Sequence, residues 1–129
     1  MWQKSDMNME KDELWERYGE ARDVIEEVLN NTHGVVVLDV EDISMFFRGG
    51  GEMERHQFTL SGYLAEIERM MERFKEQRVN LLLVARLRSL EYIKDIFCWD
   101  DASNVECFVP AVYIDDNCDE TITILILKK

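Results

Sequence analysis

The sequence predicts an α/β (α+β) two-layer sandwich, a mixed and mostly four-stranded sheet packed by helices, and three observations carry that prediction. Four short runs, 35–38, 80–85, 105–114 and 121–127, are rich in Val, Ile and Leu and are bounded by turn residues, as strands are. Two longer stretches, 10–30 and 58–78, repeat apolar residues at three- and four-residue steps, as amphipathic helices do. The two kinds alternate, which demands crossovers and some parallel pairing. The last two runs are close enough in sequence for an antiparallel hairpin, and helices on one face of the sheet would cover the whole.

In order along the chain, residues 1–9 are polar and Met-rich and are expected to form a disordered tail, with 10–129 as a single domain. The first helix, 10–30, carries Leu14, Tyr18, Ala21, Ile25 and Val28 on one face, and the Asn30-Asn31-Thr32-His33-Gly34 segment stops it. A short buried strand, 35–38, follows. Asp39 to Asp42 then forms a loop or a helix start, where carboxylates suit the free N–H groups and the positive dipole end. A short helix from Ile43 ends at Gly49-Gly50-Gly51, a flexible connector. The helix 58–78, with Leu60, Leu64, Ile67, Met71 and Phe74 on its stripe, is capped by Thr59 or Ser61. The run 80–85 reads as an interior strand covered on both faces. A short helix, 89–97, is capped by Ser89. Pro110 marks a strand start, an edge or a bulge in 105–114, because proline cannot donate to a ladder.

Composition narrows the function classes. The chain has 129 residues, 47% of them apolar, enough for one core and too many for wholesale disorder. Its formal net charge of −12 argues against nucleic acid and against an anionic membrane surface as partners. No apolar stretch approaches the length of a membrane span, and the front of the chain has no secretory signal pattern. Cys98, Cys107 and Cys118 form no C-x-x-C pair, which fits a reduced, cytoplasmic setting. Acid is concentrated in 91–120, where Glu91, Asp95, Asp100, Asp101, Glu106, Asp115, Asp116, Asp119 and Glu120 face a single base, Lys94. Such a patch either keeps the protein soluble or steers a basic protein surface.

Few motifs suggest chemistry. Arg48-Gly49-Gly50-Gly51-Glu52 lacks the lysine of a phosphate-binding loop, and Glu52 would repel a phosphate. Asp115, Asn117 and Asp119 match the opening of a calcium loop. Glu120 then replaces the turning glycine and Ile126 the bidentate glutamate, so an acidic turn is expected. His33 and His56 have no partners at metal-ligand spacing and read as surface loop residues; no metal site is expected. Asp39 and Asp42 stand out because they follow an apolar run, where carboxylates can orient a water for attack on a phosphoryl group or simply cap a helix.

Gly34-Val35-Val36-Val37-Leu38-Asp39-Val40-Glu41-Asp42-Ile43 resembles, without gaps, the loop G-L-I-N-x-D-F-A-D-V of the FtsZ/tubulin GTPase family. The stretch 110–127 resembles that family's closing strands, G-A-x-I-D-x-x-L-x-D-E-I-R-V-T-V-I-A, with an altered turn. Asn80-Leu81-Leu82-Leu83-Val84-Ala85 is similar to the strand between, and 10–33 resembles the central linking helix. The chain is thus similar to the family's C-terminal domain over most of its length. That resemblance implies a four-stranded mixed sheet backed by helices, and an acidic loop that enters the neighbouring subunit's nucleotide pocket. By carry-over, Asp39 and Asp42 would act catalytically in trans, in cell division or cytoskeletal assembly. Val37 replaces the family's loop Asn. The family's phosphate loop, G-G-G-T-G-[ST]-G, has no counterpart here, so no cofactor is expected in this chain. GTP would be bound only with the missing N-terminal domain, and the chain holds no complete active site. The partner implied is another subunit of an FtsZ/tubulin-like protein. The alternative is a small acidic protein-binding module without catalytic role.

Overall fold

The computed structural model describes residues 11–31, 33–102 and 104–129; the expected tail, 1–9, lies outside them. The elements are α1 (Lys11–Arg17), a 3-10 turn (Gly19–Ala21), α2 (Arg22–Asn30), α3 (Val40–Phe47), β1 (Glu52–Thr59), α4 (Leu60–Arg73), β2 (Val79–Leu87), α5 (Ile93–Phe97), a 3-10 turn (Cys98–Asp101), β3 (Val105–Ile114) and β4 (Thr121–Lys128). The sheet is mixed and four-stranded, in the order β1-β4-β2-β3, with β2 and β3 parallel and the other pairs antiparallel. The α+β class with helices packed on a four-stranded mixed sheet is therefore the one read from the sequence.

Which strands make up the four differs. The stretch 35–38 is not a strand: only Val36 bridges Val112, while Val35 and Val37 are 56% and 44% exposed. The fourth strand is instead β1, Glu52 to Thr59, at the opposite edge of the sheet, which carries few apolar residues and is defined by pairing along the full length of β4. Helix α4 consequently begins at Leu60, with Thr59 as its cap, accepting from the Gly62 N–H at 3.1 Å. The three glycines before β1 form an ordered turn rather than a loose connector; all have positive φ, and the Gly50 N–H donates to the Phe47 carbonyl at 3.1 Å.

The expected β3–β4 hairpin is also absent. β4 sits between β1 and β2, and β3 pairs only with β2 among the four strands. Burial decides this arrangement. In β4, Ile122, Ile124, Leu125, Ile126 and Leu127 are all buried, each worth about 1.5–3 kcal/mol out of water. An edge position would forfeit part of that, whereas β3 contains Pro110 and tolerates an edge at little cost.

Helical cover, expected on one face, extends to both. Leu82, Leu125 and Leu127 pack with Leu14, Tyr18, Ile25, Val28, Ile43 and Phe46 from α1, α2, α3 and the Tyr18 bend. Leu81, Leu83, Ile122, Ile124 and Ile126 pack with Leu60, Tyr63, Ile67, Met70 and Phe74 of α4 and its cap, and with Ile96 and Trp99. The period-2 alternation of strand side chains sends successive residues to opposite cores.

Three helices are shorter than their periodicity suggests; α4, expected over 58–78, ends at Arg73. The 10–30 stretch breaks at Tyr18, whose φ of −124° and ψ of 45° leave the helical region beside Gly19. Tyr18 gains burial by bending there: its hydroxyl donates to the Gly51 carbonyl at 2.8 Å and its ring lies 5.2 Å from that of Phe47. In the 89–97 stretch only Ile93–Phe97 is α-helical, and Ser89 accepts from the Glu91 N–H in a preceding turn instead of capping the helix. Among the described residues, no helix is long and apolar enough to cross a membrane.

Candidate functional site

The segment from Gly34 to Val36 is laid against the outer edge of β3, and α3 then packs over the sheet face. Gly34 permits the approach: a Cβ there would meet the Tyr113 ring and the Val112 carbonyl at 2.8 Å. The Val35 and Val36 N–H groups both donate to the Val112 carbonyl, at 2.8 and 3.2 Å, and the Val112 N–H returns a bond to the Val36 carbonyl at 2.9 Å. Val36 is turned inward by this bridge, leaving Val35 and Val37 exposed, while Leu38 anchors the segment in the core.

Asp39 then opens α3 as its N-cap, with extended backbone. Its Oδ1 accepts from the Asp42 N–H at 3.0 Å, and Asp42 Oδ2 accepts from the Asp39 N–H at 3.0 Å. This reciprocal capping box satisfies two of the N–H groups a helix start leaves free. The structure thus brings the two candidate acids together. Asp39 is exposed and Asp42 is half-buried, with exposed Glu41 between them in sequence. Partial burial raises the Asp42 carboxyl above its ordinary range; the Asp39 N–H opposes that rise, and the neighbouring Asp39 and Glu41 carboxylates add to it. The box engages one oxygen of each carboxylate, and the other oxygen of exposed Asp39 can accept from water or from a partner. Exposed Met45 follows on the same helix, three residues after Asp42, and exposed Val35 and Val37 precede Asp39 in the chain.

The other motifs resolve as structure. Asp115 makes an Asx turn, its Oδ1 accepting from the Asn117 N–H at 3.0 Å. No group of three or more His, Cys, Asp or Glu able to hold a metal occurs among the described residues. His33 is exposed in a loop. His56, expected in a loop as well, lies in β1, half-buried and paired with Glu54.

Three features escaped sequence reasoning. Glu54 gathers Arg73, His56 and Lys128 on the α4 face of β1, an edge-strand ion cluster. On the opposite face a polar cleft of about 240 Å³ lies under α2, where Arg55 holds Asp23 at 2.8 Å and Arg86 holds Glu27. Its two cations and two acids balance, so it favours neither ligand sign. Both features draw on neighbouring charges of β1, Glu54 and Arg55, which a strand sends to opposite faces. The third feature is Asn80, a polar residue inside an apolar run, whose buried amide reaches across to α3. No protein-family model matches the chain, and no curated protein matches it.

Proposed function

We propose that this chain is a subunit-contact module of the FtsZ/tubulin-like C-terminal type, in a cytoplasmic, polymer-forming or cell-division setting. Its acidic loop would complete the GTPase site of a neighbouring subunit. The observation that carries this reading is the Asp39–Asp42 pair, held together by the capping box at an exposed helix start, with exposed Val35, Val37 and Met45 close by in the chain. A carboxylate pair so fixed can orient a water toward a phosphoryl group bound elsewhere, and the exposed apolar side chains can be covered by a docked subunit. The run of helix, acidic loop, short helix and mixed four-stranded sheet adds support. GTP would come with a GTP-binding half on another domain or protein.

The test is hydrolysis of GTP by a separately produced FtsZ/tubulin-type GTP-binding half, with and without this chain. Stimulation that disappears in both Asp39→Asn and Asp42→Asn is the expected result. Absence of stimulation by the native chain, or stimulation indifferent to both substitutions, would remove the reading.

A second reading, an acidic module that docks a basic protein, is favoured by one observation: Asp115, Asp116 and Asp119 are all exposed on the turn before β4. Affinity through such charges falls steeply as salt rises, whereas docking through exposed apolar side chains such as Val35, Val37 and Met45 depends on salt far less.

A further inference from the structure

Between Val79 and Ala85 the strand β2 is apolar except for Asn80, which is 1% exposed. Its Nδ2 donates to the Phe46 carbonyl at 2.8 Å and reaches the Arg48 carbonyl at 3.5 Å, while its Oδ1 finds no partner. Lys129 Nζ donates to the same Arg48 carbonyl at 2.7 Å. A helix end leaves its last carbonyls without intrahelical donors, and at α3 several of them find donors nearby. The Met45 carbonyl takes the Arg48 N–H and the Phe47 carbonyl takes the Gly50 N–H, at 3.3 and 3.1 Å. The carbonyls of Phe46 and of the C-cap Arg48 are served by Asn80 and Lys129.

We propose that Asn80, assisted by Lys129, is a positioning residue for the acidic end of α3, fixing where Asp39 and Asp42 are presented. This rests on the reading of that loop as the surface offered to a neighbouring subunit. α3 has only eight residues, too few to be stable alone. The capping box ties its front internally, and the Val36–Val112 bridge holds the chain to β3 three residues before Asp39. Its rear is tied by Asn80 to β2, an interior strand of the sheet, 34 residues away in sequence. A leucine at this position would avoid burying an unpaired acceptor. What the amide supplies in return is its N–H donors, both directed at α3.

The experiment is hydrogen exchange on the full chain, native and Asn80→Leu, read at amides 43–50 and at the amides of β2 and β4. At least tenfold faster exchange confined to 43–50 is expected, with Lys129→Met shifting the same amides less. In the GTP hydrolysis assay, Asn80→Leu should lower maximal stimulation about tenfold at an unchanged half-saturating concentration. Unchanged exchange at 43–50, or a uniform rise across the sheet, overturns the proposal, as does a half-saturation shift with maximal stimulation intact. If Asn80→Leu does not fold, Lys129→Met decides alone by the same local criterion. If the native chain gives no stimulation, the functional reading fails, and the exchange arm still decides whether Asn80 holds α3.

Discussion

Trp99 donates its indole N–H to the Tyr63 hydroxyl at 3.0 Å, and that hydroxyl donates in turn to the Asp95 carbonyl at 2.7 Å. Both aromatic residues are among the largest fully buried side chains, and burial pushes the Tyr63 hydroxyl well above its ordinary pKa. Tyr63→Phe would leave the indole N–H without a partner in the core. Urea unfolding should show a loss of about 1–3 kcal/mol. Adding Trp99→Phe should cost less than the sum of the single substitutions, because the two share one chain of bonds.

Glu54 should govern acid stability. The Arg73 hydrogen bond first, then His56 and Lys128, hold its carboxyl down at about 2 from an ordinary 4.5. A lowered acid contributes stability above its ordinary pKa and loses it as pH falls through the folded value. Glu54→Gln should therefore destabilise by about 1–2 kcal/mol at neutral pH, allowing for screening around exposed Arg73. The gap should close as the pH approaches about 2. Thermal melts of both proteins across that range would show it.

Asp39 can be tested for capping and for catalysis separately. Asp39→Ala removes the acceptor for the Asp42 N–H and should cost about 0.5–2 kcal/mol. Asp39→Asn keeps an acceptor oxygen and should cost far less. A capping role alone predicts normal stimulation of GTP hydrolysis by Asp39→Asn, whereas the proposed function predicts its loss in a protein that melts normally.

Asp42 has the opposite sign from Glu54. Its pKa is raised, so its contribution is present below the ordinary carboxylate range and is lost as pH rises through the folded value. Asp42→Asn retains an oxygen for the Asp39 N–H. Its stability relative to the native chain should be higher at neutral pH than in acid. A melting-temperature difference that does not change with pH would contradict this.

Gly51→Ala should be among the most damaging single-methyl additions. Gly51 has φ +132°, and a Cβ there would lie 2.3 Å from the Lys128 carbonyl oxygen. Relief requires moving the backbone where β1 meets β4, at an expected cost of about 2–3 kcal/mol, visible as a lower denaturation midpoint.

The sequence carried the class of fold because β4 and β2 are dense in aliphatic residues and α4 has a clean apolar stripe; those patterns depend on local burial. It misled where a long-range partner decides the outcome. Val35 to Leu38 has strand-like composition but only one bridge to β3, whereas Glu52 to Thr59 lacks that composition and becomes a strand through β4. At the candidate site, the proximity of Asp39 and Asp42 was legible because their spacing suits a helix start. Asn80 was not, since nothing local shows that its amide meets carbonyls more than thirty positions earlier.

β4 occupies an interior place in the sheet yet follows the other three strands in sequence. During synthesis on the ribosome, β1 and β2 must therefore emerge and wait before the strand that joins them exists. Translation adds about 5–20 residues per second, so their unsatisfied edges stay open for seconds. A nascent chain in that state invites capture by chaperones, and stalling before residue 121 should leave it prone to clumping.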